Sequence, residues 1–118
     1  MFKEIEKIVK AHREFTKERN WDQFQNPKNL SMALAVEASE LAEIFMWLSD
    51  QQSQNLKSHQ LIAASEEIAD VFLYLLRISD TLGIDLLKAT YEKMEKNKEK
   101  YPIEKGLALA QALVEPVS

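Results

Sequence analysis

Two stretches of this chain impose terms that few folds can meet. Leu30 to Ser49, LSMALAVEASELAEIFMWLS, and Ser58 to Leu76, SHQLIAASEEIADVFLYLL, are apolar on nearly every side and contain no Lys or Arg. Yet the first carries Glu37, Glu40 and Glu43, and the second Glu66, Glu67 and Asp70. Apolar residues recur at three and four, the period of an α-helix, and never in the alternation of a strand. On helices, Glu37 with Glu40 and Glu67 with Asp70 each share one face. Like charges so placed repel, and an ionised carboxylate in apolar surroundings is expensive unless it is paired or bound to metal. A hard divalent cation, which takes oxygen ligands, resolves the conflict. The plainer reading is an exposed acidic edge. Two such pairs in the two most apolar, cation-free helices favour the metal.

The remaining segments fit an all-α chain. Residues 2 to 19 predict a first amphipathic helix, with Phe2, Ile5, Ile8, Val9, His12 and Phe15 on one face. NWDQFQNP, Asn20 to Pro27, reads as a loop that carries Trp21 and Phe24, with Pro27 at the entry to the next helix. A second helix is expected from Lys28 to Leu48, then a polar turn, SDQQSQN. Ser53 or Asn55 is the expected cap of a third helix running to Leu82, and Gly83 its stop. Asp85 opens a fourth, basic from Lys88 and ended by Pro102. A short helical tail is expected from Glu104 to Leu113, with Val114 to Ser118 frayed. The whole of residues 1–118 reads as one domain, with part of the apolar surface buried between subunits.

Composition removes other classes. The formal charge of −4 argues against nucleic acid as a partner, and the absence of cysteine excludes thiolate chemistry. The N-terminus, MFKEIEKIVKAH, is charged every few residues and does not read as a signal peptide. No uncharged run reaches the roughly 20 residues of a membrane span. A cytoplasmic location is expected.

Several residues admit two readings. Trp47 follows Glu40 by seven positions and Tyr74 follows Asp70 by four, so each falls near an acid's face. With Trp21 they are either packing residues or a surface on which a planar base stacks. His12 reads on its own as a half-buried packing or surface residue, and His59 as surface. Lys93 and Asn97, one turn apart, are either a solvated face or a phosphate clamp.

Taken together, Glu37-Ala-Ser-Glu40, a spacer from Leu41 to Glu66, and Glu67-Ile-Ala-Asp70 form an ExxE–spacer–ExxD pattern. It stands in the context ALAVEASELAEIFMW, EEIADVFLYLL and KMEKNKEKYP. In this the chain resembles the MazG-like all-α nucleoside triphosphate pyrophosphohydrolases, closest to their dCTP pyrophosphatase branch, over residues 4 to 102. The resemblance implies a four-helix MazG-like bundle completed by oligomerisation, as a tetramer built from two dimers. It implies Mg2+ held by Glu37, Glu40, Glu67 and Asp70. It also implies a base pocket of His12, Trp21, Trp47 and Tyr74, and phosphate contacts from Lys93 and Asn97. Gln25 stands where the animal enzymes have histidine. The implied reaction is hydrolysis of a pyrimidine dNTP between its α and β phosphates, in nucleotide-pool housecleaning, with Glu40 the candidate to orient or deprotonate water. Two rival readings are a non-catalytic helical interaction module and the same chemistry on another nucleotide. A di-iron carboxylate bundle is set aside, because it needs Glu-x-x-His pairs and Val9 and Leu56 stand three residues before His12 and His59.

Overall fold

The computed structural model describes residues 2–114, with the side chain of Phe2 outside that description. It contains helices and turns, with no strand among the described residues. The helices are α1 (Phe2–Glu18), α2 (Pro27–Met46), α3 (Asp50–Ser53), α4 (Ser58–Thr81), α5 (Leu86–Lys100) and α6 (Ile103–Val114), with a 3₁₀ turn at Asp22–Phe24. They form two compact units, one through Ile84 and the other from Asp85.

In the first unit the two acidic helices, α2 and α4, lie against each other, and α1 packs on α4. Leu30 from α2 and Ala64 and Leu76 from α4 are the buried apolar side chains, and Thr16 of α1 is fully buried. The core is small for such apolar helices. Met32, Val36, Ile68 and Phe72 all remain exposed on α2 and α4.

The helix ends near Trp21 and at Gly83 share one device. At the end of α1, the Trp21 N–H donates to the Thr16 carbonyl at 2.9 Å and the Asn20 N–H to the Lys17 carbonyl at 3.0 Å. Asn20 sits between them with φ 54°. At the end of α4, Ile84 donates to Ser79 at 2.8 Å and Gly83 to Asp80 at 3.2 Å, with Gly83 at φ 68°. Both are Schellman closures, which need a left-handed residue just past the helix, usually Gly and sometimes Asn. The first sends the chain straight from α1 into the loop of Trp21.

Pro27 opens α2, and the Asn26 side chain accepts from the Asn29 N–H at 2.9 Å. The expected polar turn after α2 instead contains α3. Ser49 Oγ accepts from the Gln52 N–H at 3.1 Å, and Gln52 Oε1 accepts from the Ser49 N–H at 2.9 Å. This reciprocal S-x-x-Q capping box stabilises a turn of helix in a polar sequence. Ser53 and Asn55 therefore do not cap α4. Ser53 ends α3, Asn55 donates back to the Gln51 carbonyl, and α4 begins after Lys57, whose N–H donates to Gln60 Oε1 at 2.9 Å.

In the second unit, Asp85 caps α5 by accepting from the Lys88 N–H at 3.1 Å, as the sequence implied. Pro102 separates α5 from α6, and the expected tail is a helix of 12 residues that takes in Val114. The fraying expected at 115–118 lies outside the described residues. No described helix is long and apolar enough to cross a membrane.

Candidate active site

Packing α2 along α4 brings three of the four predicted acids together. Glu37, Glu67 and Asp70 each offer a carboxylate oxygen, and these lie within 4.8 Å of one another. Two of the oxygens, Glu37 Oε2 and Glu67 Oε2, are buried and meet no hydrogen-bond donor. Two facing carboxylates cannot satisfy each other while both are ionised. Glu37 is accordingly pushed up to about 7, first by hydrogen bonding with Glu67, then by burial and by the charges of Glu40 and Asp70. Glu40 is exposed and is not one of the three converging acids, but it adjoins them, since its charge and, less strongly, a hydrogen bond to Glu37 also raise the Glu37 carboxyl. A metal was predicted from the conflict between acids and apolar surroundings. Here that conflict is concrete, because the buried oxygens have no donor to meet. Three converging hard oxygens are the donor set that suits Mg2+ or a similar cation.

Asp70 also lines a cleft of about 500 Å3. The other walls are Ile8, Ala11, His12, Phe15, Trp21, Gln25, Leu73 and Tyr74. The His12 and Phe15 rings stack, with centroids 5.9 Å apart and planes 6° from parallel. Phe15 meets Trp21 edge-on at 5.4 Å, and the Arg19 guanidinium lies over the Phe15 ring at 3.8 Å. Burial, with a smaller effect from the Arg77 charge, lowers the His12 pKa below the usual value, so the imidazole is neutral at pH 7. Burial and the nearby Glu37 and Asp70 raise the Tyr74 phenol, which stays protonated. The cleft thus offers neutral aromatic walls with polar tips, and one carboxylate, Asp70, on its lining.

A hydrogen-bonded hub holds the loop that carries Trp21 and Gln25. Arg77 of α4 donates from Nε to Gln25 Oε1 at 2.8 Å and from a terminal nitrogen to Asp22 Oδ1 at 2.9 Å. Buried Thr16 donates to the same Asp22 oxygen, 2.9 Å away. Asp80 accepts from both Arg77 and Arg13, and its bond to Arg13 holds its carboxyl below the ordinary range. Neither Arg77 nor Phe15 was read from the sequence as a site residue. A signal existed for each. Arg77 is the sole cation of α4, two turns beyond Asp70, and Phe15 lies one turn beyond His12.

Trp47 and His59, in the same unit, are not among the residues that line this cleft. Trp47 follows the last residue of α2 and is 84% exposed. Lys93 and Asn97 are exposed, one turn apart on α5 in the second unit. His59 is exposed, as expected.

A family model described as the MazG-like family matches residues 32–114, which take in most of α2 and all of α3 to α6. The chain belongs to the MazG-like family. The dCTP pyrophosphatase 1 of Rattus norvegicus is 40% identical over 101 residues, covering 84% of this chain and 59% of the relative. That of Homo sapiens is 39% identical over 100 residues, with 83% and 59% covered. This chain therefore spans less than two thirds of the curated relatives it matches. Among solved structures, a pyrophosphatase from Archaeoglobus fulgidus matches with a TM-score of 0.80 and 38% identity, over 84% of this chain and 93% of that one. The MazG-like resemblance drawn from the ExxE and ExxD pairs is thus borne out, as is the all-α fold.

Proposed function

We propose that this MazG-like chain is a magnesium-dependent pyrophosphohydrolase of pyrimidine deoxynucleoside triphosphates, dCTP foremost. It would release the monophosphate and pyrophosphate and clear the nucleotide pool in the cytoplasm. The observation that carries the reading is Asp70. It belongs both to the acid cluster and to the lining of the aromatic cleft. A base lying between His12, Trp21 and Tyr74 would therefore have its phosphates within reach of the acids. The relatives named dCTP pyrophosphatase support the substrate class.

Glu37, Glu67 and Asp70 would hold the cation, which neutralises phosphate charge in the transition state. Glu40 is exposed and adjoins the three converging acids without being one of them, so it is the residue to accept a proton from the attacking water. Trp21, Phe15 and Tyr74 give the base an apolar seat, and the hub around Arg77 keeps its wall in place. Lys93 and Asn97 offer an ammonium and an amide for the departing pyrophosphate. We also propose a homo-oligomer, a tetramer of two dimers. The exposure of Met32, Val36, Ile68 and Phe72 supports it, and Trp47 would complete the base pocket across a subunit boundary.

The test incubates the protein with each common dNTP and NTP, with Mg2+ or with EDTA, and resolves the products by ion exchange. Magnesium-dependent formation of dCMP and pyrophosphate is expected. Release of orthophosphate and a diphosphate would mean that the wrong bond is cut. The Glu40→Gln variant should lose about 10²- to 10⁴-fold in kcat and keep its stabilisation by Mg2+. Loss of both together would move Glu40 into the metal's coordination.

A further inference from the structure

Gln25 lines the cleft that also holds Trp21 and Tyr74. Its amide has two arms of opposite character, an accepting oxygen and a donating NH2. In an exposed glutamine these interchange by rotation about the last bond, and the residue offers a ligand either one. Here the interchange is blocked. Oε1 receives the Nε–H of Arg77 at 2.8 Å. A guanidinium has donors and no acceptor, so the NH2 cannot take that place. Arg77 is itself immobilised. Its side chain is only 10% exposed and is held by Asp22 at 2.9 Å and by Asp80 at 3.5 Å. Asp22 in turn is held by Thr16, the fully buried hydroxyl of α1. The NH2 of Gln25 makes no hydrogen bond among the described residues.

We propose that Gln25 is a specificity-determining residue of the cleft. With its carbonyl fixed on Arg77, it presents only N–H donors to the ligand and so selects a base edge that carries an acceptor. Arg77 acts through it, as the positioning residue that sets its polarity. The ligand class is a pyrimidine with a carbonyl or ring nitrogen at that edge. Cytosine fits well, since its O2 and N3 are adjacent acceptors. A base placed with an amino group against this NH2, the N4 group of cytosine included, meets a donor facing a donor, so the base is accepted only with O2 or N3 there. Sites built around one hydrogen bond discriminate far better than apolar pockets, because the mismatched ligand leaves a desolvated group without a partner. The proposal rests on the reading that this cleft takes the base.

The experiment uses Gln25→Glu. The shape is nearly unchanged and an oxygen still faces Arg77, but the arm left for the ligand becomes an acceptor. Binding of dCMP is measured by calorimetry in EDTA beside the analogue in which a phenyl ring replaces cytosine. The phenyl ring stacks but has no acceptor. Trp21→Ala serves as the test of the cleft itself. Gln25→Met, which removes both arms at the same length, repeats the measurement independently of any new charge. The expected result is that Trp21→Ala weakens both ligands. Each Gln25 variant should weaken dCMP about tenfold more than the phenyl analogue, the worth of one good hydrogen bond. If Trp21→Ala leaves both ligands unaffected, the base does not lie in this cleft, and the underlying reading fails. If Trp21→Ala weakens both but the Gln25 variants treat the two ligands alike, the cleft takes the base and the role of Gln25 is overturned.

Discussion

Glu67→Gln should make the metal-free protein more stable and the metal-loaded protein no better. In the wild type, Glu37 Oε2 and Glu67 Oε2 are buried without a donor. Each such acceptor costs about 1–3 kcal/mol. An amide at position 67 is nearly the same shape and gives Glu37 a donor to accept from. One substitution thus relieves one orphan and removes one charge of the cluster, a gain of about 2 kcal/mol in EDTA. In a domain of this size that is a rise of roughly 5–10 °C in Tm. The effect depends on pH, and the sign follows from Glu37. Its folded pKa, about 7, lies above the ordinary 4.5. A carboxyl raised by folding favours the folded state in its protonated form. In the metal-free wild type the contribution of Glu37 to stability is therefore most favourable below about 4.5 and is lost as the pH rises to about 7. The gain from Glu67→Gln should be full at pH 8 and shrink at pH 5, where a proton on Glu37 already satisfies Glu67. Thermal unfolding in EDTA and in saturating Mg2+, at both pH values, reads all of this. The wild type should gain about 3 kcal/mol from Mg2+ present at 100 times its Kd, and the variant almost nothing. A variant less stable than the wild type in EDTA at pH 8 would refute the reasoning, because the two oxygens would then have partners.

Other outcomes follow from the loop and the helix ends. Arg77→Met, which strips Asp22, Gln25 and Asp80 of their shared donor, should cost about 3 kcal/mol in urea unfolding and raise KM for the nucleotide. Thr16→Val keeps the volume but removes the hydroxyl held on Asp22, for about 1 kcal/mol. Gly83→Ala should cost about 1 kcal/mol from its left-handed backbone alone, since a Cβ there meets nothing within 4 Å. Asn20→Gly should be neutral or slightly stabilising for the same reason. In an NMR titration His12 should keep its neutral ring to a lower pH than a free imidazole does, because burial, with a smaller effect from the Arg77 charge, opposes its charging.

The sequence by itself determined what is local or periodic. The spacing of apolar residues marked every long helix. Asp85, Pro27 and Gly83 marked their ends, because caps and left-handed turns depend on one or two residues. The acids were legible for a related reason. Two carboxylates three apart on an apolar helix are in conflict wherever that helix lies. The conflict pointed to Glu37, Glu67 and Asp70 before any contact was known. It pointed equally to Glu40, and only the packing of α2 on α4 separated Glu40 from the close cluster. The short helix α3 was missed because its capping box outweighs a sequence that otherwise reads as a turn.

What only the tertiary structure decided lies between residues far apart in the chain. Arg77 and Gln25 are 52 positions apart, and neither has a local pattern that names the other. Phe15 looked like part of a packing face until the turn at Asn20 brought Trp21 back against it. Trp47 shared a periodic face with Glu40 on paper, but α2 ends at Met46, and past a helix end the 3.6-residue period no longer says where a side chain goes. Periodicity assigns a residue to a face of its own element. Which faces meet, and which polar atoms are left without partners when they do, is settled only when the helices come together.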